Sequence, residues 1–62
     1  MGKRDVREII ARLRREGWKE TGGKGSHKVF RKPGRSHVSV PAGRSELPVG
    51  TYENIARKAG WR

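Results

Sequence analysis

His27 and His37 are the two side chains of this 62-residue sequence that ordinarily titrate near neutral pH. Both lie in residues 21–45, a stretch that carries six cations (Lys24, Lys28, Arg31, Lys32, Arg35, Arg44) and no carboxylate. That combination suits chemistry on a phosphodiester. An imidazole can take a proton from a ribose 2′-hydroxyl or give one to a leaving 5′-oxygen. Neighbouring Lys and Arg side chains would stabilise the charge that builds on phosphorus during in-line attack. Gly22, Gly23 and Gly25 would let backbone come close to a phosphate and offer its N–H groups. They do not form a P-loop, because the G-x-x-x-x-G-K-[ST] spacing is missing. Without carboxylates in this stretch, neither a metal site nor a cofactor is expected. The plain alternative is that His27 opens a strand on a solvated basic surface, and that His37 does no more than touch phosphate.

The rest of the composition narrows the partner. Sixteen basic against six acidic residues leave a net charge of +10. An excess of that size on so small a body calls for a polyanionic partner. With 31% apolar residues and a length for one small domain, residues 1–62, the core must be thin. The absence of cysteine removes disulfide staples and thiolate metal sites. No apolar run is long enough to span a membrane. MGKRDVREII has no uninterrupted apolar stretch of the signal-peptide kind, so the expected compartment is the cytoplasm. A membrane-surface helix is disfavoured because the positive excess lies on strand-like sequence.

The elements that must position these residues follow from periodicity. Val6, Ile9, Ile10 and Leu13 share one helical stripe. Asp5 with Glu8 reads as a capping box, and Arg12, Arg14 and Arg15 before Gly17 suit a helix end, giving a helix over residues 4–16. From Trp18 the period falls to two. Trp18–Thr21, His27–Arg31 and His37–Val40 read as strands, with Lys32–Arg35 as a turn. A second helix carries Tyr52, Ile55, Ala56 and Ala59 on its stripe, with Pro48 in its first turn or Thr51 as a later cap. Gly60 stops it, and Trp61 can fold back on the last turn. Trp18 and Trp61 are expected to close the core.

The order α-β-β-β-α with short connections predicts an α+β fold: a three-stranded antiparallel meander with both helices on one face, like a double-stranded-RNA-binding domain. Phe30, Val38 and Val40 should point at the helices, which requires Phe30 to pair with Val38 across an odd-numbered loop. On that register His27, Arg31, His37 and Ser39 gather on the open face, with Lys24 and Lys28 at its edge.

Three segments carry a resemblance: K-G-S-H-K-V-F at Lys24–Phe30, V-S-V-P at Val38–Pro41, and E-L-P-V-G-T-Y-E-N-I-A-R-K-A-G-W at Glu46–Trp61. In this order, after an R-D-V-R-E-I-I helix, the chain resembles the HicA family of bacterial toxins over nearly its whole length. The resemblance implies a double-stranded-RNA-binding-domain-like fold and a metal-independent mRNA interferase that needs no cofactor. It also implies a HicB-type antitoxin that covers the active surface. The family histidine that follows Gly-Ser maps onto His27, which makes it the catalytic residue. Lys28 stands where family members often carry a second histidine. Lys24, Gly25, Ser26, Lys28, Arg31, Arg35 and His37 become the RNA- and phosphate-binding set, with the Gly25 and Ser26 backbone as oxyanion donors. The competing reading is a non-catalytic RNA-binding module. It is weakened because Leu47-Pro48-Val49-Gly50 replaces the lysine-rich start of the last helix in ordinary double-stranded-RNA-binding domains.

Overall fold

A computed structural model describes residues 2–23 and 25–61. The order is α1 (Val6–Arg15), β1 (Lys19–Gly22), β2 (His27–Arg31), β3 (Val38–Pro41) and α2 (Val49–Ala59). The expected α-β-β-β-α layout is therefore present. Helix α1 begins later than residue 4 because Asp5 is its extended N-cap, its carboxylate accepting from the N–H groups of Arg7 at 2.9 Å and Glu8 at 3.3 Å. The N–H of Asp5 is already satisfied by the carbonyl of Gly2, at 3.0 Å, so a reciprocal bond from Glu8 is unnecessary. At the other end, the N–H of Trp18 closes onto the carbonyl of Leu13 at 3.0 Å. Trp18 thus turns into the core, and β1 starts one residue later than its sequence suggests.

The sheet order is β1-β2-β3 with both pairs antiparallel. Phe30 pairs with Val38, Lys28 with Val40 and His27 with Pro41, the register that the parity of Phe30 and the valines demands. Strand β3 runs from Val38 to Pro41 instead of His37 to Val40. Pro41 is tolerated because β3 is an edge strand. A bulge at Thr21 shifts the register of β1 between Glu20 and Gly22.

One face of the sheet supplies the floor of the core. Phe30, Val38 and Val40 are fully buried beneath Val6, Ile9 and Leu13 of α1 and Tyr52, Ile55, Ala56 and Ala59 of α2. Leu47 joins this cluster from the loop before α2. Among the described residues no polar or charged residue is buried.

Helix α2 begins at Val49 with Pro48 as N-cap, so neither Pro48 nor Thr51 takes the place expected of it. The Pro48 carbonyl receives the Tyr52 N–H at 3.0 Å. Gly60 ends the helix in the left-handed conformation (φ 82°), and the N–H of Trp61 bonds the Ala56 carbonyl at 2.8 Å. The indole of Trp61 then clamps the two helices together. It donates to Glu16 at 2.7 Å, leans on Tyr52 and lies under the guanidinium of Arg12 at 4.2 Å.

Candidate nucleic-acid interface

His27 is the first residue of the central strand, and its side chain is exposed. Its position is dictated by the chain on either side. Gly23 sits at φ 150°, and a Cβ there would collide with the His27 carbonyl oxygen, so only glycine lets the β1–β2 turn pass so close. Across the sheet, the N–H of Ala42 donates to the carbonyl of Ser26 at 2.6 Å. Gly43 packs so closely on Ser26 that a Cβ would lie 2.8 Å from the Ser26 Cβ.

These contacts shape a cleft of about 460 Å³ at the end of the sheet. Its walls are Ser26 and His27, Pro41 at the end of β3, the loop residues Gly43 and Arg44, and the start of α2 through its N-cap Pro48 and Thr51. A neighbouring cleft of about 540 Å³ lies toward α1, with Lys28, Arg7 and Ile10 among its lining, and Arg44 belongs to both.

The expected binding residues separate into three groups. Gly25 and Ser26 precede His27 in the turn, at one end of the sheet. Arg31 and His37 lie at the opposite end, four residue steps along β2, or roughly 13 Å at a strand's rise. Arg35 is turned to the C-terminus of α2, its guanidinium within 2.8 Å of the place a Gly60 Cβ would occupy. A cation there complements the helix dipole.

Lys28, expected at the edge of the open face, lies on the other side of the sheet. It shares the parity of Phe30 and therefore faces the helices, half-buried, with its ammonium on Glu20 at 3.3 Å. Arg14 of α1 holds the other carboxylate oxygen of Glu20 at 3.2 Å. The hydrogen bond from Lys28 is the largest influence and holds the Glu20 carboxyl below its usual range; desolvation opposes it, and the bond from Arg14 adds a smaller lowering. Lys24 lies outside the described residues.

Sequence reasoning missed Arg44, Gly43 and Thr51 as neighbours of His27. A signal for the first two was available. Once Phe30 pairs with Val38, His27 must pair with Pro41, and the Pro-Ala-Gly-Arg segment after β3 then has to pass beside the histidine. The first turn of α2 carries no such marker.

Among the described residues no group of three or more His, Cys, Asp or Glu is placed to hold a metal ion, and no helix is long and apolar enough to cross a membrane. The architecture is a small basic α+β layer with one exposed histidine at the mouth of a cleft, and the match of residues 6–61 places it among the toxins of bacterial toxin–antitoxin systems. The matched family is described as the HicA toxin of bacterial toxin–antitoxin, and the chain belongs to it. No curated protein matches the sequence. Membership implies an antitoxin partner.

Proposed function

We propose that the chain, acting as one toxin domain over residues 1–62, is a metal-independent endoribonuclease that cuts mRNA in the cytoplasm and so arrests translation and growth. The observation that carries this reading is the placement of His27: exposed, at the mouth of a cleft with Ser26 and Arg44, in a stretch of sequence without carboxylates. His27 takes the proton of a ribose 2′-hydroxyl. The 2′-oxygen attacks the adjacent phosphorus, the bond to the 5′-oxygen breaks, and that oxygen takes a proton from water. The products are a 2′,3′-cyclic phosphate, open to hydrolysis to a 3′-phosphate, and a 5′-hydroxyl. Backbone N–H groups at Gly25 and Ser26 donate to the phosphorane oxygens. No cofactor enters the reaction.

The partner that silences the toxin is a HicB-type antitoxin whose acidic surface covers the basic one. End-group analysis of RNA cut by the purified chain tests the chemistry. Products with 5′-hydroxyl and cyclic-phosphate ends are expected, and a DNA strand of the same sequence should stay whole. Cleavage of that DNA would overturn the 2′-hydroxyl mechanism. RNA binding without cleavage, unchanged by His27→Ala, would establish the non-catalytic module instead.

A further inference from the structure

The open face of the sheet is the obvious track for RNA, since it joins His27 to Arg31 and His37. The geometry points elsewhere. We propose that the RNA strand crosses the end of the sheet, from the His27 cleft over Arg44 into the neighbouring cleft toward α1, and that Arg44 holds the phosphate between two successive nucleotides. This rests on the reading of His27 as the nuclease centre.

Three observations carry it. Among the described residues Arg44 alone lines both clefts, so a strand occupying the two in sequence passes beside it. Arg44 is exposed, and among the described residues its side chain has no ion pair or hydrogen bond, leaving its donors available for a bidentate phosphate contact. The loop that carries it is pinned on both sides. Ala42 donates to Ser26 at 2.6 Å, Val6 to the Ser45 carbonyl at 2.9 Å, and Leu47 to the Arg4 carbonyl at 2.9 Å. Arg4 in turn donates from its guanidinium to the Leu47 carbonyl at 3.1 Å. The backbone that carries Arg44 is thus fixed before the ligand arrives, so binding has to order only its side chain, which limits the entropy lost.

The second cleft has the chemistry of a nucleotide subsite. Ile10 and Ala42, both partly buried, supply apolar surface for a base, and Arg7, Lys28 and Arg44 supply charge for the backbone. Its one carboxylate, Asp5, is already turned to the N–H groups that begin α1. This path also gives Lys28 a place on the RNA that its parity denies it on the open face. Its pair with Glu20 is a surface one and is readily exchanged for phosphate. The volumes of about 460 and 540 Å³ suit small-ligand subsites.

The probe is a seven-nucleotide 2′-O-methyl RNA, which binds but offers no 2′-hydroxyl nucleophile. Its affinity is measured by fluorescence anisotropy at two salt concentrations for the parent chain, Arg44→Ala, Arg44→Lys and Arg31→Ala. Amide spectra of the ¹⁵N-labelled parent with the same oligonucleotide locate the contact, and a spectrum of each labelled variant checks that it is folded. Arg44→Ala should bind about tenfold or more weakly, as for loss of a charged hydrogen bond, and its salt slope should fall by about one. Arg44→Lys should recover part of the affinity, Arg31→Ala should lose clearly less than Arg44→Ala, and amide shifts should cluster at residues 5–10, 26–28 and 42–45. The path is refuted if Arg31→Ala weakens binding as much as Arg44→Ala, if the shifts fall on 31–39, or if the parent does not bind. Should Arg44→Ala lose affinity while the parent cuts no RNA, the path stands and the nuclease reading falls. Should Arg44→Ala bind and cut like the parent, the path falls alone.

Discussion

Replacing Gly43 by alanine tests whether the cleft geometry sets the position of the histidine. The added methyl would lie 2.8 Å from the Ser26 Cβ and 3.0 Å from its Oγ. Carbon atoms settle at about 3.5–4.0 Å, so Ser26 or the loop must yield by roughly 0.7–1.2 Å. Gly43 has no left-handed backbone angle, so alanine adds no backbone strain there and the clash with Ser26 is what perturbs the folded state. Both residues are exposed, so the loop can relax and the cost in stability should stay below the roughly 1–3 kcal/mol of an overpacked core. Because Ser26 adjoins His27, a displacement near 1 Å should lower the cleavage rate by about 10²-fold. The assay is single-turnover cleavage of a short RNA beside thermal unfolding, for Gly43→Ala, Ser26→Gly and the double variant. Ser26→Gly removes the obstructing atoms, so the double variant should cut at close to the rate of Ser26→Gly. A folded Gly43→Ala that cuts like the parent refutes the reasoning, and so does a double variant as slow as Gly43→Ala.

Acid stability follows from two carboxylates. The Trp61 indole, then Arg12 and Lys32, hold Glu16 below its ordinary 4.5 despite some desolvation, and Glu20 is lowered by Lys28 and Arg14. Their contribution is fully present above that ordinary value and is lost as pH falls through the depressed folded values. Melting temperature should therefore drop below about pH 4.5, and Glu16→Gln should flatten that drop; an unchanged acid profile contradicts the pairing. Phe30→Ala empties the middle of the floor and should cost about 3–5 kcal/mol, enough to abolish cooperative unfolding in circular dichroism. A sharp melt near the parent's temperature would show that the core is placed wrongly. Association with an acidic antitoxin should slow severalfold as salt rises from about 0.05 to 0.5 M, where the Debye length contracts. A rate indifferent to salt in stopped-flow mixing would rule out electrostatic steering.

The layout was legible in the sequence because each element signals itself locally. Val6, Ile9 and Leu13 mark one helix stripe and Tyr52, Ile55 and Ala56 the other, and the two-residue spacing of Val38 and Val40 fixes the inward face. Parity then selected the Phe30–Val38 register. The element ends were less legible, since they depend on single hydrogen bonds: the Gly2 carbonyl taking the Asp5 N–H, or Leu13 taking that of Trp18. The candidate site was legible only at its centre. His27 announces itself by type, but a strand separates it from Arg31 and His37, while the sheet end brings Arg44 to it from the other side. Charge composition alone could not tell Lys28, held on Glu20, or Arg35, turned to the end of α2, from cations left available to a ligand.

The central claim is that His27 makes this toxin a nuclease. The most direct measurement is induced expression of the chain beside His27→Ala at equal abundance, with growth and the integrity of total mRNA followed together. The account predicts arrest and mRNA breakdown with the parent and neither with the folded variant. Arrest by both, with mRNA intact, would contradict it and leave a binding protein whose basic surface, not its histidine, is the site.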